Sequence, residues 1–341
     1  MKKNNKEVLT PNELTPEAKA SMKTRIISAI VAGIICVPLL VLGDYFIFAL
    51  IAFFTIVGTY EVVHCAKKKY NPALYIVAIF LALLMTYWPM IRALPAFLSH
   101  RTSELTLFGS FNELYISIMV LALGAFGLFF MVIIDKGFTV RDACFMFTMI
   151  MIVTVGFQSA LYVRYLPSYF YHLNPANPEY KFLNLYDNFE SCFLFIYVII
   201  ATIMTDIGAY FIGVFFGKHK MNPRISPKKT WEGFAGGIII SSIFSFGFAM
   251  ILCATGHPFI EGILDLQHWY LFLILSFLLP FVATLGDFVF SSAKRHFEIK
   301  DFGNIMPGHG GVLDRLDSII FTMITTAVFL ELVSYWSTYV K

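Results

Sequence analysis

Apolar runs of about 20 residues recur along the whole chain, the length that an α-helix needs to cross a bilayer. There are nine of them, at roughly 26–42, 45–63, 73–97, 114–134, 143–163, 191–216, 233–255, 269–290 and 318–339. Of the 341 residues, 58% are hydrophobic and only 14% are charged, against about 25% in soluble domains. Too few polar side chains remain to cover a soluble fold. The sequence therefore predicts an all-α polytopic integral membrane protein of about nine transmembrane helices.

The positive charges predict the orientation of these helices. If the N-terminus is cytoplasmic, the N-terminal tail and the even-numbered connections hold 20 of the 25 Lys and Arg residues. Cytoplasmic loops of membrane proteins carry such an excess. With nine spans, the C-terminus is then expected outside. The polar tail has no evident transit signal, so a bacterial plasma membrane is the expected location.

The same pattern divides the chain into three regions. Residues 1–25 form a polar cytoplasmic tail, 26–190 hold five spans and an outer loop, and 191–341 hold the last four spans. The only long polar cytoplasmic segments lie between spans six and seven and between spans eight and nine. Chemistry on a cytoplasmic substrate is therefore expected in the C-terminal region, at the cytoplasmic face.

The first of these segments, 217–233, is strongly basic. It carries five cations within twelve residues, beside hydroxyls and glycines, which suits an anionic ligand such as a polyphosphate. Ser226, Lys228, Lys229 and Thr230 are the candidate binding residues, and Thr230 or Ser226 could cap the next helix. The alternative is that the segment is basic only because cytoplasmic loops generally are.

The second segment brings carboxylates. Asp287 lies near the end of span eight, while Asp314 and Asp317 are three residues apart and share one helix face at the start of span nine. Three carboxylates at one point suit Mg²⁺ held together with substrate phosphates. Alternatively, acids at a helix start complement its dipole, which explains Asp314 and Asp317 but not Asp287.

Other polar residues leave two interpretations open. Asp206 lies within span six and is either functional or the partner of a basic residue in the same cavity. Glu61 and His64 are one turn apart in span two, and a structural or interfacial role is favoured because nothing connects them with the site. Glycines at 308–311 allow close approach to a phosphate, and His309 either binds it or braces the turn.

The fixed positions of the second segment form a longer pattern. They are Ser291, Lys294, Arg295, Lys300, Asp301, Pro307, Gly308, His309, Gly310, Gly311, Asp314, Arg315 and Asp317. This pattern resembles the signature of the phosphatidate cytidylyltransferase family, and Ser226–Gly233 is similar to the family's second conserved block. The resemblance covers roughly 200–320. Two positions depart from it: Ala293 replaces a larger residue, and Phe290 stands where many bacterial members have Glu.

The resemblance implies Mg²⁺-dependent transfer of CMP from CTP to phosphatidate, giving CDP-diacylglycerol and pyrophosphate for phospholipid biosynthesis. It implies a homodimer among membrane lipids, with no nucleic-acid partner. The metal ligands would be Asp287, Asp314 and Asp317, a number of carboxylates that is consistent with a second cation. Lys294 and Arg315 would join them in catalysis. The expected substrate-binding residues are Ser226, Lys228, Lys229, Thr230, Ser291, Arg295, His309, Gly310 and Gly311.

Three other functions fit parts of the sequence. A transporter or channel would explain many spans with intramembrane charges, but it predicts paired repeats that the sequence lacks. A CDP-alcohol phosphotransferase would need an Asp-Gly-x-x-Ala-Arg pattern, which is absent. A related transferase acting on an isoprenoid lipid is a third alternative, since the lipid tails are not fixed by the motifs.

Overall fold

The computed structural model describes residues 16–98, 111–173, 192–305, 308 and 310–339. Within these ranges the chain forms nine long helices and one short hairpin. The helices are α1 (Pro16–Leu42), α2 (Asp44–His64), α3 (Pro72–Leu98), α4 (Phe111–Ile134), α5 (Val140–Leu173), α6 (Phe193–Phe216), α7 (Trp231–Ala254), α8 (Trp269–His296) and α9 (Leu313–Tyr339).

The helical membrane fold is confirmed. Six of these helices (α2 and α5 to α9) are long and apolar enough to cross a membrane, so the chain is a multi-pass membrane protein. Helices α1, α3 and α4 contribute shorter apolar stretches among the residues that the structure describes. Nine crossings and the orientation of the termini stay predictions.

Helix α1 begins earlier than the sequence pattern indicates. The prediction places residues 1–25 in a polar tail, whereas the helix starts at Pro16. Residues 16–25 include Glu, Ala, Lys, Met and Arg, all good helix formers, and proline is well tolerated in the first turn. The polar segment therefore continues the helix beyond its apolar part.

A two-stranded antiparallel hairpin interrupts the all-helical pattern between α6 and α7. Its strands are β1 (Lys220–Asn222) and β2 (Ser226–Thr230), and Asn222 pairs with Ser226 across the turn. Pro223 and Pro227 disfavour a helix through this segment. The basic segment is therefore an ordered hairpin.

Helices α6 and α7 form the tightest pair in the C-terminal half. A β-carbon on Gly233 would lie 2.7 Å from the Ala209 carbonyl oxygen, and one on Gly237 would lie 2.9 Å from the Thr205 carbonyl oxygen. Only glycine permits this approach of the two backbones. The hairpin between the two helices is thus anchored at both of its ends.

Helix α9 joins the two halves of the chain. It packs against α8 and also against α5, where a β-carbon on Gly156 would lie 2.5 Å from Ile320. At its N-terminal end, Leu313 lies against Gly58 of α2. Because α9 also carries two of the candidate carboxylates, the N-terminal helices form part of the surroundings of the site.

Candidate active site

The hairpin leads directly into α7 through a capped helix start. The Thr230 hydroxyl accepts a hydrogen bond from the Gly233 amide at 3.2 Å, and Thr230 is only 5% exposed. This confirms the predicted cap, since a threonine oxygen satisfies one of the free amides of a first helical turn. The cap fixes the position of Lys228 and Lys229 immediately before it.

Lys229 connects the hairpin to α8. Its ammonium forms an ion pair with the Asp287 carboxylate and lies 4.7 Å from the centre of the Phe288 ring. The hydroxyl of Ser291, one turn further along α8, donates to the other Asp287 oxygen at 3.1 Å. The structure therefore brings together three predicted site residues: Lys229, Asp287 and Ser291.

A second ion pair connects α8 to α9. The Lys294 ammonium lies 2.7 Å from an Asp314 oxygen, and the two side chains are only 9% and 3% exposed. The other Asp314 oxygen accepts from the amides of Phe302 at 2.8 Å and Gly311 at 2.9 Å. Both oxygens of Asp314 are thus engaged in holding the 297–312 connection against Lys294.

The remaining carboxylates lie on three helices around the same end of the bundle. Helix α9 approaches α8 at Gly286, where a β-carbon would lie 3.0 Å from the Asp317 carbonyl oxygen. Asp317, which is 9% exposed, and Asp287 are close enough to interact electrostatically. Asp206 of α6 interacts with both of them and also with Lys229. Asp206, for which the sequence left two roles possible, therefore lies beside the site.

This arrangement bears on the predicted magnesium site. Across the part of the chain that the structure describes, no group of three His, Cys, Asp or Glu side chains is arranged to hold a metal ion by itself. Asp314 is directed towards Lys294. Asp287 and Asp317 do offer oxygens from neighbouring helices, and Mg²⁺ is commonly held by one or two carboxylates together with substrate phosphates. The donor set fits such an ion, and metal binding stays a prediction.

Three of the predicted phosphate-binding cations, Lys228, Arg295 and Arg315, are exposed, and Ser226 begins β2. Arg295 also braces the hairpin: its Nε donates to the Ile225 carbonyl at 3.3 Å and its Nη1 to the Ile299 carbonyl at 2.8 Å. Arg295 thus has a structural contact that its charge alone does not indicate.

The glycine segment before α9 is only partly described, and His309 lies outside the described residues. Gly310 has a φ of +89°, a conformation that favours glycine. The amide of Gly311 is engaged by Asp314. The substrate-binding roles predicted for Gly310, Gly311 and His309 stay predictions.

Sequence reasoning did not connect Glu61 with the site. Its carboxylate is 1% exposed and accepts from the amides of Val312 and Leu313, both at 2.9 Å. His64 is exposed and stacks on Tyr60, so Glu61 and His64 do not act as a pair. One feature of the sequence could have indicated this contact. Residues 310–312 have no side-chain oxygen, so the start of α9 has no local cap and needs an acceptor from elsewhere.

The departure from the family pattern at Phe290 falls in the core. Phe290 is fully buried and lies against Phe302 at 5.9 Å and Phe321 at 6.3 Å between ring centres. The side chain thus packs the 297–312 connection onto α8 and α9. Position 290 therefore has a packing role in this chain, and it contributes no carboxylate to the ion pairs described above.

The chain is similar to known proteins over most of its length. Residues 23–333 match the family model described as "Cytidylyltransferase family". A Staphylococcus haemolyticus protein named phosphatidate cytidylyltransferase is 30% identical over 302 residues, which cover 89% of this chain and 96% of that protein. Proteins of the same name from Bacillus subtilis and Mycobacterium leprae are 44% and 42% identical over 137 and 135 residues. These two alignments span 40% of this chain, and 46% and 39% of the respective relatives.

Proposed function

Because the chain belongs to the cytidylyltransferase family, we propose that it transfers CMP from CTP to phosphatidate, giving CDP-diacylglycerol and pyrophosphate. The observation that carries the proposal is the pair of ion pairs, Lys229 with Asp287 and Lys294 with Asp314, which tie the hairpin, α8 and α9 together at one end of the bundle. Cations and carboxylates are thereby concentrated at the helix ends, where a soluble nucleotide and a lipid phosphate can meet.

The reaction requires positioning and charge neutralisation more than proton transfer. A phosphate oxygen of phosphatidate forms a bond to the α-phosphorus of CTP, and the bond from that phosphorus to the bridging oxygen of the β-phosphate breaks. The nucleophile is already anionic near neutral pH, so no general base is needed. Two anions must approach in line, which fixed positive groups favour.

The chain's own residues divide this work. Asp287 and Asp317 would hold Mg²⁺ together with the triphosphate, and Asp206 adds negative charge beside them. Such an ion would neutralise part of the phosphate charge. Lys229 and Lys294 are held in place by their carboxylate partners and present positive charge towards the nucleotide. Exposed Lys228 and Arg315 extend the positive surface towards the lipid phosphate.

The assay that tests this function uses the purified full-length protein in detergent with Mg²⁺, CTP and phosphatidate. CDP-diacylglycerol and pyrophosphate should appear in equal amounts, and omission of Mg²⁺ should abolish both. An isoprenoid phosphate serves as the alternative acceptor, and phosphatidylglycerol, which has no phosphomonoester, serves as the negative control. Turnover with the isoprenoid phosphate alone would redirect the assignment to a different lipid, and no turnover with any acceptor would refute it.

The site is proposed to face the cytoplasm. It lies at the ends of α6 and α8 and the starts of α7 and α9, the same end that carries the basic hairpin, and basic connections prefer that side. In a variant whose five native cysteines are replaced by serine, Lys228→Cys places a single thiol on this exposed hairpin. A membrane-impermeant maleimide should label it only after cells are permeabilised. Labelling in intact cells would reverse the orientation.

We also expect a homodimer through α6 and α7. In each of these two helices, only 28% of the most apolar 18-residue stretch is buried within the chain, whereas 56% of the corresponding stretch of α5 is buried. Ile243 of α7 is 64% exposed and Phe126 of α4 is 74% exposed. In lipid nanodiscs and in the same background without native cysteines, Ile243→Cys should form a cross-linked dimer, whereas Phe126→Cys should remain monomeric. Equal cross-linking of both variants would indicate random encounter.

A further inference from the structure

The start of α9 is capped from the opposite half of the chain. Glu61 of α2 accepts from the first two amides at this helix end, Val312 and Leu313, one on each carboxylate oxygen at 2.9 Å. Amides in a first helical turn have no partner within their own helix. Because Gly310, Gly311 and Val312 have no side-chain oxygen, a cap must come from elsewhere in the chain.

The carboxylate of Glu61 is also closely enclosed. A β-carbon on Gly303 or on Gly311 would lie 2.5 Å from the same Glu61 oxygen. With Glu61 only 1% exposed, its position is fixed by two amides on one side and two glycines on the others. These contacts give both glycines a packing reason that is independent of any substrate.

The helix turn that Glu61 holds carries the chemistry. Asp314 pairs with Lys294 from this turn, and Arg315 and Asp317 follow within three residues. Negative charge at a helix N-terminus is favourable, so a buried carboxylate is well matched to this place. We infer that Glu61 is a positioning residue that fixes the first turn of α9 and so orients Asp314, Arg315 and Asp317 for the reaction. The inference rests on the proposed function.

Glu61→Gln tests this role with little change in size. Its amide group would oppose one of the two N–H donors, so the helix start should shift. We expect kcat per folded molecule to fall about 10- to 100-fold, the usual effect of losing a group that orients a metal ligand. The half-saturating Mg²⁺ concentration should rise. The increase in unfolding temperature that Mg²⁺ and CTP produce should shrink, which gives a readout independent of turnover.

Gly303→Ala reaches the same carboxylate from outside α2. The atoms nearest to the added methyl group all belong to Glu61, so this variant should reproduce the loss. Combined with Glu61→Gln, it should lower kcat by much less than the product of the two single effects, because both changes act on one contact. If Glu61→Gln does not fold, Gly303→Ala decides the question alone.

Glu331→Gln is the matched control. Glu331 is also a carboxylate of α9 and accepts from the Tyr162 hydroxyl at 2.6 Å, far from the first turn, and glutamine preserves this contact. Its activity should equal that of the wild type. If Glu61→Gln and Gly303→Ala lose only folded protein, with kcat per folded molecule and Mg²⁺ dependence unchanged, the positioning role is wrong. An inactive wild type would instead refute the proposed function itself.

Discussion

Asp287→Asn and Asp317→Asn should each lower kcat by on the order of 10³-fold, the scale expected when a group that stabilises transition-state charge is removed. Asp287 follows Gly286, where α8 and α9 approach each other, and it interacts electrostatically with Asp317, so each substitution would remove a negative charge from the proposed metal site. Asparagine keeps the size of the side chain. The measurement is the initial rate with saturating CTP over a wide range of Mg²⁺ concentration.

The two variants should also differ from each other. Asp287→Asn breaks the ion pair with Lys229, so it should raise the KM for CTP as well, whereas Asp317→Asn leaves that pair intact. Asp265→Asn is the control, since Asp265 contacts His268 in the loop before α8, at the opposite end of that helix. Full activity of Asp287→Asn and Asp317→Asn at low Mg²⁺ would show that the metal is held elsewhere.

Lys294→Met should be the most destabilising single change at the site. It leaves the Asp314 carboxylate, whose side chain is only 3% exposed, without its cation. Removal of one partner of a buried ion pair costs about 3 to 5 kcal/mol, because an uncompensated charge remains. We expect a loss of unfolding free energy in this range, measured by reversible denaturation in mixed micelles, together with loss of turnover.

A second substitution separates charge from packing in this pair. Lys294→Met combined with Asp314→Asn should recover part of the lost stability, since the neutral amide oxygen can still accept from the Phe302 and Gly311 amides. Lys68→Met serves as the control. Lys68 pairs with Asp142 at 2.7 Å; Asp142 is 7% exposed, but Lys68 is 46% exposed and is therefore screened by water more strongly than Lys294, so we expect a smaller loss of unfolding free energy. Equal losses for Lys68→Met and Lys294→Met would contradict the importance of burial.

The helices were predictable because the bilayer imposes their length. Each apolar run in the sequence corresponds to one helix of the described chain, and the Thr230 cap was predictable because it depends on residues only three apart. The hairpin was not, since its strands have only three and five residues, with Pro223 in the turn between them and Pro227 inside β2, and show no recognisable alternation.

The pairing of charges within the site was harder to predict. Three carboxylates on two helices suggested one metal cluster, but their spacing gave no sign that Asp314 contacts the Lys294 ammonium and the amides of Phe302 and Gly311. The cap provided by Glu61 joins residues 251 positions apart, and no local pattern encodes such a contact. Sequence patterns identified most of the residues around the site, whereas their partners depend on how α2, α8 and α9 pack.

The contact of α9 with both halves of the chain has a consequence for how such enzymes can diverge. The motif-bearing segment 191–341 holds the proposed site residues, yet the start of its last helix is completed by Glu61 and by the packing of Leu313 on Gly58. The segment therefore does not form a complete unit that could be combined with unrelated N-terminal helices. Substitutions in the N-terminal helices are compatible with the site only if an acidic side chain remains at Glu61 and a small residue at Gly58, both of which contact α9, whereas lipid-facing positions can vary.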